Sequence, residues 1–108
     1  MKITLDWDSY NEEPHEHMRL RAILTNPVIY SIQVRKSTHG GTHVWLEVPS
    51  VRSNDTAFKF REMYWDDSER LRLDKQRGNG TGVLFDRKGM KRMGTWRWQE
   101  CGPWTRLK

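Results

Sequence analysis

The first eight residues alternate strictly between apolar and polar side chains. One face of this segment collects the apolar residues Ile3, Leu5 and Trp7, and the other collects Thr4, Asp6 and Asp8. A period of two is typical of a half-buried β-strand. The pattern therefore predicts a first strand that turns its apolar face to a core and two aspartates to the opposite side.

Two further segments, 28–37 and 42–48, alternate in the same way and flank a turn that contains Gly40 and Gly41. Paired alternating segments around a short glycine turn predict a β-hairpin. Between the first strand and this hairpin, acidic residues and Pro14 follow Asn11, as at the start of a helix. We expect this first helix to end before Pro27.

After the hairpin, residues 55–65 place Ala57, Phe60 and Tyr64 at helical spacing. Residues 70–74 alternate again, and this pattern predicts a last strand with its two leucines turned inward. The predicted order is strand, helix, strand, strand, helix, strand. It is the βαββαβ order of ferredoxin-like and RRM-like α+β domains, in which two helices cover one face of an antiparallel sheet.

The chain has 108 residues, which is the size of one domain. We expect residues 1–77 to form the core, and residues 78–108 to form a glycine-rich connector and an extension rich in tryptophan and arginine. The uncovered face of the sheet should collect polar residues from four strands: Asp6, Asp8, Gln33, Arg35, Ser37, His43, Glu47, Arg72 and Asp74.

The composition excludes some kinds of site and indicates a cellular compartment and a class of partner. A single cysteine, Cys101, excludes an intramolecular disulfide and a cysteine-rich zinc site. Neither a signal peptide nor an apolar run of membrane-spanning length is visible, so we expect a cytoplasmic protein without a membrane partner. The formal net charge of +5 favours an anionic partner such as nucleic acid or a nucleotide.

Two segments carry candidate chemistry. Asp6 and Asp8, two residues apart in a strand, lie about 6.6 Å apart on one side and can close on a hard cation such as Mg²⁺. The turn over 37–43 can cradle a phosphate with its backbone N–H groups, and Arg35 and Lys36 beside it supply positive charge. Each segment alone also has a plain interpretation, as a solvated strand face and as an ordinary hairpin turn.

Taken together, three segments resemble the archaeo-eukaryotic primase (primase-polymerase) superfamily. That family carries an aspartate pair in a hydrophobic first strand, a serine-and-glycine turn leading to a histidine, and a third acid on a later strand. The resembling segments are Ile3-Thr4-Leu5-Asp6-Trp7-Asp8, Arg35-Lys36-Ser37-Thr38-His39-Gly40-Gly41-Thr42-His43-Val44-Trp45 and Arg70-Leu71-Arg72-Leu73-Asp74. The resemblance covers about residues 2 to 74.

The resemblance implies a minimal RRM-like catalytic core that joins nucleotides on a nucleic-acid template with Mg²⁺ or Mn²⁺. It implies that Asp6, Asp8 and Asp74 bind two metal ions, with Asp86 as an alternative third acid. It also implies that the triphosphate of the incoming nucleotide meets a basic and polar set: Arg35, Lys36, Ser37, His43 and Arg72. Members of the family are usually longer, so a partner domain or subunit is an open possibility.

The alternative is an RRM-like nucleic-acid-binding module without catalysis. Such modules stack bases on aromatic side chains of the open sheet face, where this sequence offers Trp45. Carboxylates on the same face repel phosphates unless a metal lies between them, and this favours the enzyme. Tryptophans of the extension, Trp96, Trp98 and Trp104, could stack on single-stranded bases or pack as a structural cover.

Overall fold

The computed structural model describes residues 1–8, 13–38, 40–84, 87–92 and 95–108. Its strands are β1 Lys2–Trp7, β2 Ser31–Lys36, β3 Thr42–Glu47, β4 Arg87–Arg92, β5 Thr95–Glu100 and β6 Thr105–Arg106. Its helices are α1 Glu16–Leu24, α2 Asn54–Met63 and α3 Ser68–Arg77. Within these ranges, none of the helices is long and apolar enough to cross a membrane.

The main sheet has four antiparallel strands in the order β1-β3-β2-β6, so β3 lies between the first strand and its hairpin partner. The predicted hairpin between β2 and β3 is confirmed, with Val34 opposite Val44. Strands β4 and β5 pair with each other in a separate two-stranded ribbon. The α+β class and the antiparallel sheet are therefore confirmed.

The core lies on the apolar face that the alternation predicted. Its most deeply buried residues come from the three long strands and the elements packed on them, and include Ile3, Leu5, Ile23, Ile29, Ile32, Val44, Leu46 and Ala57, all 0% exposed. The indole N–H of Trp7 donates to the carbonyl oxygen of Tyr64 at 2.9 Å and fixes β1 to the end of α2. Complete burial of one aliphatic side chain stabilises the fold by about 1.5–3 kcal/mol.

The predicted strand over 70–74 is wrong, because these residues lie within α3. Asp67 caps the start of this helix by accepting a hydrogen bond from the Arg70 N–H at 2.8 Å. Gly78 ends it in the left-handed conformation, with φ of 68°. Leu71 and Asp74, three residues apart, are the buried positions, so a helical repeat of three decides which side chains turn inward.

The edge of β1 is consequently not covered by a fourth strand of the predicted ferredoxin-like order. Backbone groups of β1 are satisfied instead by the segments before and after α3. Asp66 accepts from the Asp6 N–H at 2.9 Å, the Asp67 N–H donates to the Asp6 carbonyl at 3.1 Å, and the Thr4 N–H donates to the Thr81 carbonyl at 2.9 Å. These bonds hold the α2–α3 junction and the segment after α3 against the first strand.

Arg61, on α2, lies at the centre of the contacts between these elements. Its side chain is 0% exposed. The guanidinium donates to Asp66 at 2.8 Å and to Asp74 at 2.7 Å, and to the carbonyl oxygens of Asn79 and Gly80 at 3.1 and 3.3 Å. One buried cation therefore joins α2, the α2–α3 junction, α3 and the segment that follows α3.

We predict that Arg61→Ala lowers the free energy of unfolding by about 3–5 kcal/mol, because it leaves the buried Asp74 carboxylate without the arginine that pairs with it, and leaves Asp66 with Arg70 alone. Urea denaturation followed by circular dichroism measures this loss. Arg72→Ala is the matched control, since Arg72 forms an exposed ion pair with Glu69 on α3 and such pairs contribute little. A loss for Arg61→Ala no larger than that for Arg72→Ala would contradict the central role of the guanidinium.

Candidate active site

Strand register places three functional side chains in one row across the polar face of the sheet. His43 of β3 stands opposite Asp6 of β1 on one side and opposite Arg35 of β2 on the other. Directly paired residues in a sheet have β-carbons about 4.5–5.5 Å apart. The sequence-predicted acid, histidine and arginine are therefore neighbours.

Hydrogen bonding orients the histidine. The Arg35 Nε–H donates to His43 Nδ1 at 3.0 Å, so Nδ1 is the acceptor nitrogen and Nε2 carries the proton. His43 Nε2, the proton-bearing nitrogen, lies 3.8 Å from Asp6 Oδ1. On the other side, Cys101 Sγ lies 3.9 Å from His43 Nδ1.

A cavity of about 600 Å³ lies between this end of the sheet and α3. The sheet and its hairpin turn contribute Asp6, Asp8, Ser37, Thr38 and His43 to the wall. Helix α3 and its flanks contribute Asp67, Glu69, Arg70, Leu73, Asp74, Arg77, Val83 and Leu84. The structure therefore brings together the first-strand aspartates and the hairpin turn, the first two segments of the sequence motif.

Glycine at position 41 allows the turn to approach the end of β1. A β-carbon there would lie 2.6 Å from the Trp7 carbonyl oxygen, which is closer than real β-carbons pack, and 3.1 Å from Ser37 Oγ. The Ser37 N–H donates to the Gly41 carbonyl at 3.0 Å and closes the turn. This close approach brings Ser37 beside the residues that follow Asp6.

Two side-chain oxygens of this site are buried without a hydrogen-bond partner. They are Asp6 Oδ1 and Ser37 Oγ, and among the residues that the structure describes they are the only such atoms. Buried polar groups in folded proteins nearly always have a partner, and each exception calls for an explanation such as a bound ion or ligand. Both atoms belong to residues that line the same cavity.

The Asp6 carboxyl is strongly perturbed. Its pKa is raised from 3.8 to about 6, first by burial and next by the negative charge of Asp8, while the positive charge of Arg70 acts in the opposite direction. A carboxylate in this position is destabilised by its neighbours. A cation between Asp6 and Asp8 would relieve both causes.

The predicted third acid is placed differently. Asp74 lines the cavity but is 4% exposed, and its carboxylate accepts from Arg61 at 2.7 Å. No three His, Cys, Asp or Glu side chains in the described part of the chain are grouped as a metal site. Of the predicted acids, Asp6 and Asp8 therefore remain as a two-carboxylate pair that would hold a cation, Asp74 is held by an arginine, and Asp86 lies outside the described residues.

The proposed triphosphate ligands divide into two groups. Ser37 and His43 line the cavity with the aspartates. Arg35 is 7% exposed and lies under the Trp104 ring, with Cζ 4.4 Å from the ring centroid. Lys36 lines a second cavity of about 370 Å³ with Gly41, and Arg72 pairs with Glu69 on the exposed side of α3.

Sequence reasoning missed the residues that α3 contributes to the cavity, chiefly Arg70 and Arg77. It missed them because it assigned residues 70–74 to a strand, and so predicted neither a helix that reaches Arg77 nor a cavity between that helix and the sheet. The helix signals were present: Asp67 stands at the N-cap, Glu69 in the first turn, Lys75 and Arg77 in the last turn, and Gly78 at the C-cap.

Comparison of the chain with protein-family models, with curated proteins and with solved structures found no significant match. The resemblance to the primase-polymerase superfamily therefore rests on the three sequence segments.

We predict that, in the absence of divalent metal, the Asp6 carboxyl titrates near pH 6, and that Asp8→Asn lowers its pKa because one neighbouring negative charge is removed. Carbon-13 NMR of the labelled aspartate carboxyl groups measures both values. Asp55→Asn is the control, since Asp55 is exposed on α2 and is not among the residues that line the cavity.

The same shift has a consequence for stability. Because the folded pKa exceeds the unfolded value, the folded state binds more protons between about pH 4 and pH 6, and the contribution of Asp6 to stability falls as the pH rises through this window. Asp6→Asn, which does not titrate, should gain stability relative to the wild type across that window. A stability difference independent of pH would contradict the assignment.

Proposed function

We propose that the chain is a metal-dependent nucleotidyltransferase of the primase-polymerase type, which uses Mg²⁺ or Mn²⁺ and acts on a nucleic-acid template. One observation carries the proposal. The aspartate pair and the serine–histidine turn, which are separate in sequence, line a single cavity that also holds two partnerless buried oxygens. A metal ion bound with a nucleotide triphosphate would satisfy such a site.

Asp6 and Asp8 would hold the metal. Two carboxylates together with substrate phosphates form the kind of ligand set that Mg²⁺ prefers. When bound, the ion supplies positive charge that stabilises the negative charge developing on phosphate oxygens. The raised pKa of Asp6 fits this role, because a carboxylate that is costly to ionise alone gains most from a cation beside it.

The turn and the histidine would bind the phosphates. His43 lines the cavity, and because Arg35 donates to its Nδ1, Nε2 is the nitrogen that would donate to a bound phosphate. The Ser37 and Thr38 side chains line the same wall. Arg35 acts through His43 as a positioning residue, and we place its contribution there and not in direct contact with phosphate.

Helix α3 would provide the remaining positive charge. Arg77 is exposed and lines the cavity, and Arg70 lines it while donating to Asp66 and to Thr4. The cavity volume of about 600 Å³ lies within the range of roughly 300–1,000 Å³ for small-molecule sites. A nucleotide could therefore be enclosed between the sheet and α3.

The second candidate function is a non-catalytic nucleic-acid-binding module. The observation in its favour is that Trp45, on the same sheet face, is 36% exposed and contacts Trp104. Exposed aromatic side chains on such a face are typical of base stacking. Metal binding at the aspartate pair distinguishes the two candidate functions, because a non-catalytic module that stacks bases does not require a metal ion.

We predict that the wild type binds Mn²⁺ and that Asp6→Asn combined with Asp8→Asn abolishes the binding, since both carboxylate ligands are lost. Isothermal titration calorimetry at pH 7.5, above the pKa of Asp6, measures this. Asp55→Asn, an exposed aspartate outside the cavity lining, should bind like the wild type. Equal binding by the double variant and the wild type would exclude the aspartate pair as the metal site.

We further predict that the wild type, given a primed template, nucleotides and Mn²⁺, extends the primer, and that Asp6→Asn prepared in parallel does not. Denaturing gel electrophoresis of a labelled primer measures the products. His43→Gln should reduce extension by about tenfold or more, because a charge-assisted bond to phosphate contributes about 1.5–3 kcal/mol. Equal extension by wild type and Asp6→Asn would indicate a contaminating polymerase, and binding of template without extension would favour the module.

A further inference from the structure

Beside the cavity, the polar face of the sheet carries a strip of aromatic and basic side chains. We call it the aromatic strip, and it consists of Lys2, Trp45, Trp104 and Arg106. Trp45 stands on β3 directly opposite Gln33 of β2, and Gln33 in turn stands opposite Arg106 of β6. Directly opposed residues point to the same side of a sheet, so Trp45 and Arg106 share this face.

The two tryptophans form one aromatic surface. Their ring centroids lie 5.8 Å apart with the ring planes at 76°, an edge-to-face arrangement. Lys2 Nζ lies 5.6 Å from the centroid of Trp45, and Arg35 Cζ lies 4.4 Å from the centroid of Trp104. Trp45 is nevertheless 36% exposed, although large aromatic side chains are usually well buried in a domain of this size.

The strip adjoins the cavity. His43, which lines the cavity, and Trp45 are two residues apart on β3, and such residues lie about 6.6 Å apart on one face. Arg35 joins the two regions, because it donates to His43 and lies against Trp104. A chain-like ligand laid along the strip would thus reach the aspartate pair.

We infer that the aromatic strip binds single-stranded nucleic acid, with unpaired bases stacked on Trp45 and Trp104 and phosphates contacting Lys2 and Arg106. This inference deepens the proposed function, and the assignment of the bound strand as a template rests on that function.

The positive charges and the aromatic rings of the strip favour single-stranded nucleic acid as its ligand. Lys2 and Arg106 are exposed cations on this face: Lys2 Nζ lies over the Trp45 ring, and the Arg106 Nε–H donates to the backbone oxygen of Lys108 at 3.1 Å. Glu47, opposite both Lys2 and Ser31 in the sheet register, is the acid at this end of the face. The chain as a whole carries a net charge of +5. Tryptophan stacks on any base that is unpaired, whereas a duplex buries the faces of its bases in its own stack. The strip therefore suits a single strand better than a duplex.

The experiment measures binding of a fluorescein-labelled 15-nucleotide oligothymidine by fluorescence anisotropy, with EDTA present and without nucleotide. Trp45→Ala should weaken binding by roughly 5- to 150-fold, the range for loss of one base-stacking side chain, and Trp45→Phe should retain most of the affinity. Tyr30→Ala is the matched control, since Tyr30 is an aromatic residue that is 66% exposed. It lies just before β2, and in the alternation of that segment it belongs to the apolar face and not to the polar face that carries the aromatic strip. This variant should bind like the wild type.

Salt dependence separates stacking from charge. Combined Lys2→Gln and Arg106→Gln should reduce the slope of log affinity against log salt by about 1.4, at about 0.7 for each phosphate contact to a single strand. Trp45→Ala should leave the slope unchanged. Circular dichroism spectra like that of the wild type establish that each variant is folded.

Weak binding by Trp45→Ala, with binding by Trp45→Phe and Tyr30→Ala preserved, supports the strip. Wild-type affinity in Trp45→Ala, or equal affinity of the wild type for duplex and single strand, overturns it. Failure of the proposed function gives a different result, since Mn²⁺ binding and primer extension would then be absent while the effect of Trp45→Ala on oligothymidine binding persisted.

Discussion

The buried guanidinium of Arg61 is the interaction on which the arrangement of the site depends. It is 0% exposed and satisfies the carboxylates of Asp66 and Asp74 together with two backbone carbonyls. A buried charge is tolerated only when it is paired and fully hydrogen-bonded, so these partners are obliged to converge on one point. Because they belong to the α2–α3 junction, to α3 and to the segment after it, their convergence fixes α3 beside the edge of β1.

The same network reaches the candidate metal site through Asp66. The two carboxylate oxygens of this residue accept hydrogen bonds from the Arg61 guanidinium, from the Arg70 guanidinium and from the backbone N–H of Asp6. To place the carboxylate there, Trp65 adopts a positive φ of 61°, a conformation that costs a non-glycine residue about 1–3 kcal/mol. The cost is offset by the ion pairs that the reversal of the chain permits. Asp6 is therefore held by its backbone, which leaves its carboxylate to face the cavity and His43.

The sequence predicted the first three strands better than helix α3 beside the site. Apolar and polar residues alternate in residues 2–8, 28–37 and 42–48, and this pattern predicts strands because a strand with one buried face must turn every second residue inward. Asp6, His43 and Arg35 were expected on one face of the sheet, and the observed register places them in one row across it. Residues 70–74 are too short for alternation to decide, since Leu71 and Asp74 also fit a helical repeat, and the caps at Asp67 and Gly78 were the better evidence. The role of Asp74 was obscured for a related reason: an aspartate in sequence does not reveal that a buried arginine, thirteen positions earlier, will pair with it.

Some buried polar groups of this fold are fully paired, and others in the described residues have no partner. The groups without a partner lie at the candidate site. The acids that Arg61 binds are neutralised and contribute to folding, whereas Asp6, with a pKa raised to about 6, and the partnerless Ser37 hydroxyl remain unsatisfied in the described residues. Local violations of polar satisfaction are expected at functional sites, where the rest of the fold supports them. In this chain the supporting elements also determine the direction in which a bound ligand would extend. The cavity opens between α3 and a sheet face that continues from His43 to Trp45 and Trp104. Under the proposed function, a ligand bound at the aspartate pair would extend along the aromatic strip, and the acids and the tryptophans would act on one extended polyanion.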